Sequence, residues 1–233
     1  RGLVSPGTSI PLAEESGLII ALGEWVLREA FRQMRTWKNL GLAPLRVSIN
    51  VSAVQFRRGG LPRVLAEQLA AHDIDPHYVE LELTESVLIH GVDEVLQTLQ
   101  EIKALGVTLA IDDFGTGYSS LSYLRRFPID RLKIDQSFVR DIERTPANES
   151  IARAIVALAN SLGLEVIAEG IEQSAERAVL EHMRCPEGQG YLFARPLSAG
   201  DFLEWIIAHR KNRVINDLFD EEIPDLLQDW AQG

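Results

Sequence analysis

VTLAIDDFGTGYSSL, residues Val107–Leu121, carries the clearest structural signal in the chain. Its first half, Val107 to Ile111, is β-branched and apolar, which marks a buried strand. The run ends in two adjacent carboxylates, Asp112 and Asp113, and Phe114-Gly115-Thr116-Gly117 then turns the chain on its glycines. Ser119 and Ser120 are suited to cap a following helix. A strand that delivers paired acids to its C-terminal end, followed by a loop, is how a β/α barrel builds its reactive mouth.

Strand and helix alternate on both sides of this stretch. Arg46–Ser52, Tyr78–Thr84, Arg131–Asp135, Glu165–Glu169 and the shorter Gln189–Phe193 read as further strands. Helices fit between them at about Leu61–Ala71, Val92–Leu105, Ser119–Arg126, Asn148–Leu162 and Gln173–Met183. Alternating strand and helix imply a parallel sheet, here with six strands, two short of a (β/α)8 barrel. Ahead of the first strand, Arg1–Pro11 reads as loop and Leu12–Gly17 as a short helical turn. A helix follows over Leu18–Leu40, with Leu22, Val26, Ala30 and Met34 on one face and Gly41 as its stop. The segment 211–233 shifts in composition to an acidic, amphipathic helical tail that packs on the domain or meets a partner.

The composition sets limits on function. With 233 residues, 46% hydrophobic and 24% charged, the chain suits one soluble α/β domain. A net charge of −11 argues against DNA or an anionic membrane as default partners. An anionic substrate therefore needs metal ions or a few placed cations. Cys185 is the only cysteine, so no internal disulfide can form. No apolar run is long enough to span a membrane, and the reading is of a cytoplasmic stretch of a longer protein.

Strand parity says more than strand count. Val47, Ile49 and Val51 oppose Ser48, Asn50 and Ser52; Val79, Leu81 and Leu83 oppose Glu80, Glu82 and Thr84. Likewise Leu132 and Ile134 oppose Arg131, Lys133 and Asp135. A parallel strand covered on both sides should be apolar on both. Here one face carries acids, amides and a lysine, which is the face of a site.

The strand-end candidates are Asn50, Glu82, Asp112, Asp113, Lys133, Glu169 and Gln189, spaced at roughly one βα unit each. Carboxylates ~4 Å apart repel by on the order of 4 kcal/mol per pair at an effective dielectric near 20. Protons or divalent cations must offset that. Oxygen donors with one amide suit Mg²⁺ or Mn²⁺, and adjacent aspartates can bridge two ions for in-line attack of water on a phosphodiester. Lys133 balances charge or holds a phosphate oxygen. Gly115-Thr116-Gly117 lacks the third glycine of a dinucleotide fingerprint, and His72-Asp73 lacks partner histidines.

These segments resemble the EAL-domain family. SINVS (Ser48–Ser52), LELTES (Leu81–Ser86), IDDFGTGYSSL (Ile111–Leu121), LKID (Leu132–Asp135), VIAEGIE (Val166–Glu172) and GQGYLFARP (Gly188–Pro196) look like its successive motifs, and PLAEESGLI (Pro11–Ile19) like its lead-in. The resemblance covers residues 1 to about 210. It implies a TIM-like barrel with one antiparallel strand, and a bacterial Mg²⁺- or Mn²⁺-dependent phosphodiesterase that opens cyclic di-GMP to pGpG.

By that resemblance Asn50, Glu82 and Asp112 bind a first metal, and Asp112 bridges to a second held also by Asp113. Glu169 is the general base or a second-metal ligand, with Lys133 beside it, and Gln189 orders water. Glu85 latches the loop Phe114–Ser120, coupling metal and substrate binding to homodimerisation. The family's Glu-Ala-Leu tripeptide does not occur in this chain, so the resemblance places it, with the first strands, ahead of Arg1. Upstream signalling domains are expected as well. The competing expectation is a non-catalytic cyclic di-GMP receptor or scaffold, against which stands the intact ligand set. A more distant one is an enolase-like site using Lys133 and the acids for proton abstraction.

Overall fold

The computed structural model describes residues 4–88, 91–117 and 124–213. Six strands form one sheet in the order of the chain: β1 (Val47–Val51), β2 (Val79–Thr84), β3 (Thr108–Phe114), β4 (Arg131–Ile134), β5 (Glu165–Ala168) and β6 (Glu187–Gly188). All five pairings are parallel. Sequential order with helical crossovers is the topology of a TIM-like barrel wall. The antiparallel strand implied by the resemblance is not among these six.

Among the described residues lie helices α1 (Pro6–Ser16), α2 (Ile19–Asn39), α3 (Ala53–Arg57), α4 (Leu61–His72), α5 (Val92–Ala104), α6 (Gln136–Val139), α7 (Pro146–Leu162), α8 (Ser174–His182) and α9 (Ala199–Arg213), with short 3-10 helices at Pro76–Tyr78 and Glu85–Leu88. Leu65, Leu99, Ile102, Ala152, Ala159 and Leu180 project from them onto Leu81, Leu83, Leu109, Ile111, Leu132 and Val166, the apolar strand face. The helix side of each strand is therefore a continuous dry core. A smaller cluster, Leu42 with Leu203 and Ile206, attaches α9 beside Trp37.

Several expectations need correcting. The stretch read as loop up to Pro11 is mostly helix, because Pro6 sits in the first turn, where its missing N–H costs nothing. In α2 the buried stripe is Ile19, Gly23, Leu27, Phe31 and Met34, one residue round from the expected face. Leu22 and Val26 instead look into a cleft of about 1060 Å³ shared with α1 and β1. The last strand is Glu187–Gly188, and Tyr191 to Phe193 leave it in a turn closed by Phe193 N–H donating to the Gly190 carbonyl at 3.0 Å. Gly190 permits this: at φ +154° a Cβ there would lie 2.2 Å from the Ile171 carbonyl oxygen. Helix α9 had no counterpart in the sequence reading. The expected helix at Ser119–Arg126 lies largely outside the described residues, as does the tail beyond Arg213.

Gly23 lets α2 approach α3: a Cβ there would meet the buried Gln55 amide at 2.2–2.4 Å. Because the obstacle is a side chain that can move at some cost, Gly23→Ala is expected to destabilise the chain by about 1–3 kcal/mol in urea unfolding, with the same fold.

Candidate metal centre at the strand C-termini

The polar strand face divides into two layers two residues apart, or about 6.6 Å along each strand. The lower layer sets two arginines, Arg46 and Arg131, among three acids, each of which is ion-paired. Arg131, buried, faces Glu80 at 3.4 Å and Glu187 at 2.9 Å, and its Nε donates to Glu165 at 3.1 Å. Ser48 Oγ donates to Glu80 at 2.8 Å, and Arg46 reaches Glu165 at 3.2 Å. Arg131 holds the Glu165 carboxyl below its ordinary range. This layer shares the parity of the site but belongs to the scaffold.

The upper layer is not balanced. Lys133, 3% exposed, is its single ammonium, set 2.6 Å from Glu82 Oε2, 3.1 Å from Asp112 Oδ1 and in contact with Glu169 Oε1. Register explains the convergence: Asn50 pairs with Glu82 between β1 and β2, Thr84 with Asp112 between β2 and β3, and Glu169 follows directly on β5. Asp112, Asp113 and Glu169 bring one carboxylate oxygen each to within 4.8 Å of one another. Gln189 Nε2 donates to Glu169 Oε1 at 2.6 Å and orients it.

Adjacent aspartates on a regular strand would face opposite ways. Here the β3–β4 register shifts between Ile111 and Phe114, and Asp113 takes a left-handed φ of 53°. A bulge of this kind re-aims a side chain next to a site. It puts both carboxylates in the mouth, a feature that sequence parity could not supply. Asp113 N–H donates to Asp112 Oδ1 at 3.0 Å and steadies the turn.

Burial and crowding leave Glu82, Asp113 and Glu169 hard to ionise. Burial, then Asp112 and a hydrogen bond with Asp135, push Asp113 up to about 6. Burial pushes Glu169 up to about 7, with Asp112 and Glu82 adding to it and Lys133 opposing. Glu82 is raised mainly by burial. The carboxylates around Lys133 hold its ammonium well above the usual lysine value, although burial opposes them. Asp135 is the site neighbour the sequence reading passed over: it caps α6 by accepting from Ser137 N–H at 3.0 Å while touching Asp113. Its position in LKID, on the Lys133 face, was the available signal.

Glu85 is buried behind the loop, and its Oε2 accepts from both Gly115 N–H and Gly117 N–H at 3.3 Å. These two bonds tie the loop to Glu85 at Gly115 and Gly117; Tyr118 to Ser120 lie outside the described residues. Hard oxygen donors around one lysine fit Mg²⁺- or Mn²⁺-class cations, which would relieve the repulsion that protons and Lys133 now relieve.

The parallel β/α sheet thus carries a cluster of carboxylates at its strand C-termini, the end at which β/α barrels keep their reactive groups. The chain belongs to the EAL-domain family, whose model matches residues 1–196. It is 44% identical over 203 residues to the bifunctional diguanylate cyclase/cyclic di-GMP phosphodiesterase MucR of Pseudomonas aeruginosa, covering 87% of this chain and 30% of that protein. It is 46% identical over 205 residues to the cyclic di-GMP phosphodiesterase PdeR of Escherichia coli, covering 88% and 31%. The solved c-di-GMP complex of the PaMucR phosphodiesterase superposes with a TM-score of 0.83 at 43% identity, over 87% of this chain and 82% of that one. A manganese/cy-diGMP complex of Klebsiella pneumoniae BlrP1 superposes at 0.66 and 32% identity, over 75% and 45%. The chain spans about a quarter to a third of the length of the curated relatives it matches.

Proposed function

We propose that this chain hydrolyses cyclic di-GMP to linear pGpG with two Mg²⁺ or Mn²⁺ ions. The observation that supports it most is the unbalanced upper layer, where Glu82, Asp112, Asp113 and Glu169 surround one lysine. Asn50, Glu82 and Asp112 would hold one ion, and Asp112 with Asp113 the other. When bound, such a pair neutralises the scissile phosphate and makes a water more acidic.

The side chains supply the rest. Glu169, with a carboxyl near neutrality, takes the proton of the attacking water. Gln189 fixes its orientation, and Lys133 holds Glu82, Asp112 and Glu169 around the phosphate. Water adds to phosphorus as the bond to the 3′ oxygen breaks, and that oxygen leaves with a proton. One water is consumed and one linear dinucleotide formed.

The same reading includes a homodimer coupled through the Glu85 latch, upstream signalling modules in keeping with the longer relatives, and a cytoplasmic location. Among the described residues no helix is long and apolar enough to cross a membrane. The test is to incubate the chain with cyclic di-GMP and Mn²⁺ and separate the nucleotides. Appearance of pGpG that a chelator abolishes supports the reading, and binding without turnover would favour the receptor.

The proton inventory gives a second expectation. Between about pH 4 and 7 the folded metal-free chain keeps protons on Asp113 and Glu169 that the unfolded chain has released. Its stability therefore falls as pH rises through that window. Metal binding must displace the same protons, so Mn²⁺ affinity rises over it and levels off above about pH 7. Calorimetric titrations at pH 6 and pH 8, in buffers of differing ionisation heat, should show proton release at the lower pH only.

A further inference from the structure

Glu176 is a buried carboxylate, 1% exposed, that no part of the mechanism above uses. It is the third residue of α8, and its two oxygens serve two different segments. Oε2 accepts from Glu172 N–H at 2.8 Å and from Gln173 N–H at 2.9 Å, in the loop between β5 and α8. Oε1 accepts from Asp141 N–H at 3.1 Å, in the turn that follows α6. Among the described residues no cation lies within ion-pair distance of Glu176. A buried charge left to backbone donors alone is costly, and a helix cap does not need one, since glutamine closes a capping box as glutamate does. What the second carboxylate oxygen adds is the hold on Asp141.

Both of the joined segments start at the metal centre. Glu169 opens the loop after β5, and its N–H donates to the Ile134 carbonyl at 3.1 Å. Asp135, which meets Asp113, opens α6. The two segments pack closely: a Cβ on Gly170 would lie 2.5 Å from Gln136 Cβ. Their other tie, Arg140 to Glu172 at 3.0 Å, is exposed on both sides and weak for that reason. We propose that Glu176 is a positioning residue for the metal centre: it staples the loop of Glu169 to the segment of Asp135, and so sets where the Glu169 carboxylate stands relative to Asp112 and Asp113. Its effect on turnover rests on the phosphodiesterase reading; its effect on metal affinity rests on the acid cluster alone.

Glu176→Gln keeps one carbonyl oxygen for the Glu172 and Gln173 N–H groups but turns its amide nitrogen toward Asp141, so it opens the staple and spares the cap. The folded variant is expected to show faster hydrogen exchange at the Asp141 amide, Mn²⁺ bound about tenfold more weakly, and kcat for cyclic di-GMP lowered about tenfold with KM little changed. Glu176→Ala, which loses the cap as well, should show the same losses with a lower urea midpoint. Wild-type kcat and Mn²⁺ affinity in folded Glu176→Gln overturn the positioning role and leave a helix cap; a raised KM with kcat unchanged overturns it too. If neither variant folds, exchange in the wild type decides, because coupling between sites is reciprocal. Saturating Mg²⁺ should slow the Asp141 amide more than the amides of α4, which carries no site residue, and equal slowing overturns the staple. A wild-type chain without turnover overturns the phosphodiesterase reading, and the Mn²⁺ affinity of Glu176→Gln then decides the positioning role by itself.

Discussion

Replacing Asp112 with asparagine is expected to lower cyclic di-GMP hydrolysis by on the order of 10³-fold while leaving the fold intact. The substitution is nearly isosteric, and the amide oxygen can still accept from Asp113 N–H, as the carboxylate now does at 3.0 Å. What disappears is one negative charge, at the acid shared by the three-carboxylate cluster and by Lys133. Asp112 raises the carboxyls of Glu82, Asp113 and Glu169, so its neutralisation relieves repulsion in the metal-free chain. Lys133 keeps Glu82 and Glu169 as partners. Stability in chelator should therefore be unchanged or higher by about 1 kcal/mol, while Mn²⁺ affinity collapses. Activity and stability moving in opposite directions is the signature of a site built for charge. Asp112→Asn unfolding in chelator would instead make Asp112 part of the scaffold, and turnover near wild type would remove it from the reaction.

The two acids of β2, Glu80 and Glu82, mark how far strand parity alone separates site from scaffold. The period-2 pattern of Val79 to Thr84 located β2 and aimed Glu80 and Glu82 at the polar face, because a buried strand tolerates carboxylates only where something answers them. It could not separate the two. Both acids are buried with the same parity, and only the Arg131 network beneath Glu80 shows that one is scaffold and the other site. The Asp112–Asp113 pair was legible as residues but not as geometry, since the register shift and the left-handed Asp113 are settled by pairing with β4. Tyr191-Leu192-Phe193 has strand-like composition, yet the close approach of Gly190 to Ile171 turns the chain there and exposes the ring. Local propensity yields to such tertiary contacts.

Lys133→Met is expected to destabilise the metal-free chain by about 3–5 kcal/mol at pH 8. Methionine fills nearly the same volume, so the loss is of charge rather than of packing. Glu82, Asp112 and Glu169 would face one another without the ammonium that now touches all of them. Lys133 itself does not titrate between pH 5 and 8, since its neighbours raise it above the ordinary lysine value. The pH dependence of the variant comes from the acids. Lys133 is a lowering influence on Glu82, Asp113 and Glu169, so without it their carboxyls rise further and take up protons at pH 5. Urea unfolding in chelator should thus show a large loss at pH 8 and a small one at pH 5. Because a divalent cation replaces the missing charge, Mn²⁺ should stabilise the variant more than the wild type at pH 8. An equal loss at both pH values, with no extra rescue by Mn²⁺, would mean that Lys133 acts by packing and not by neutralising the acids around it.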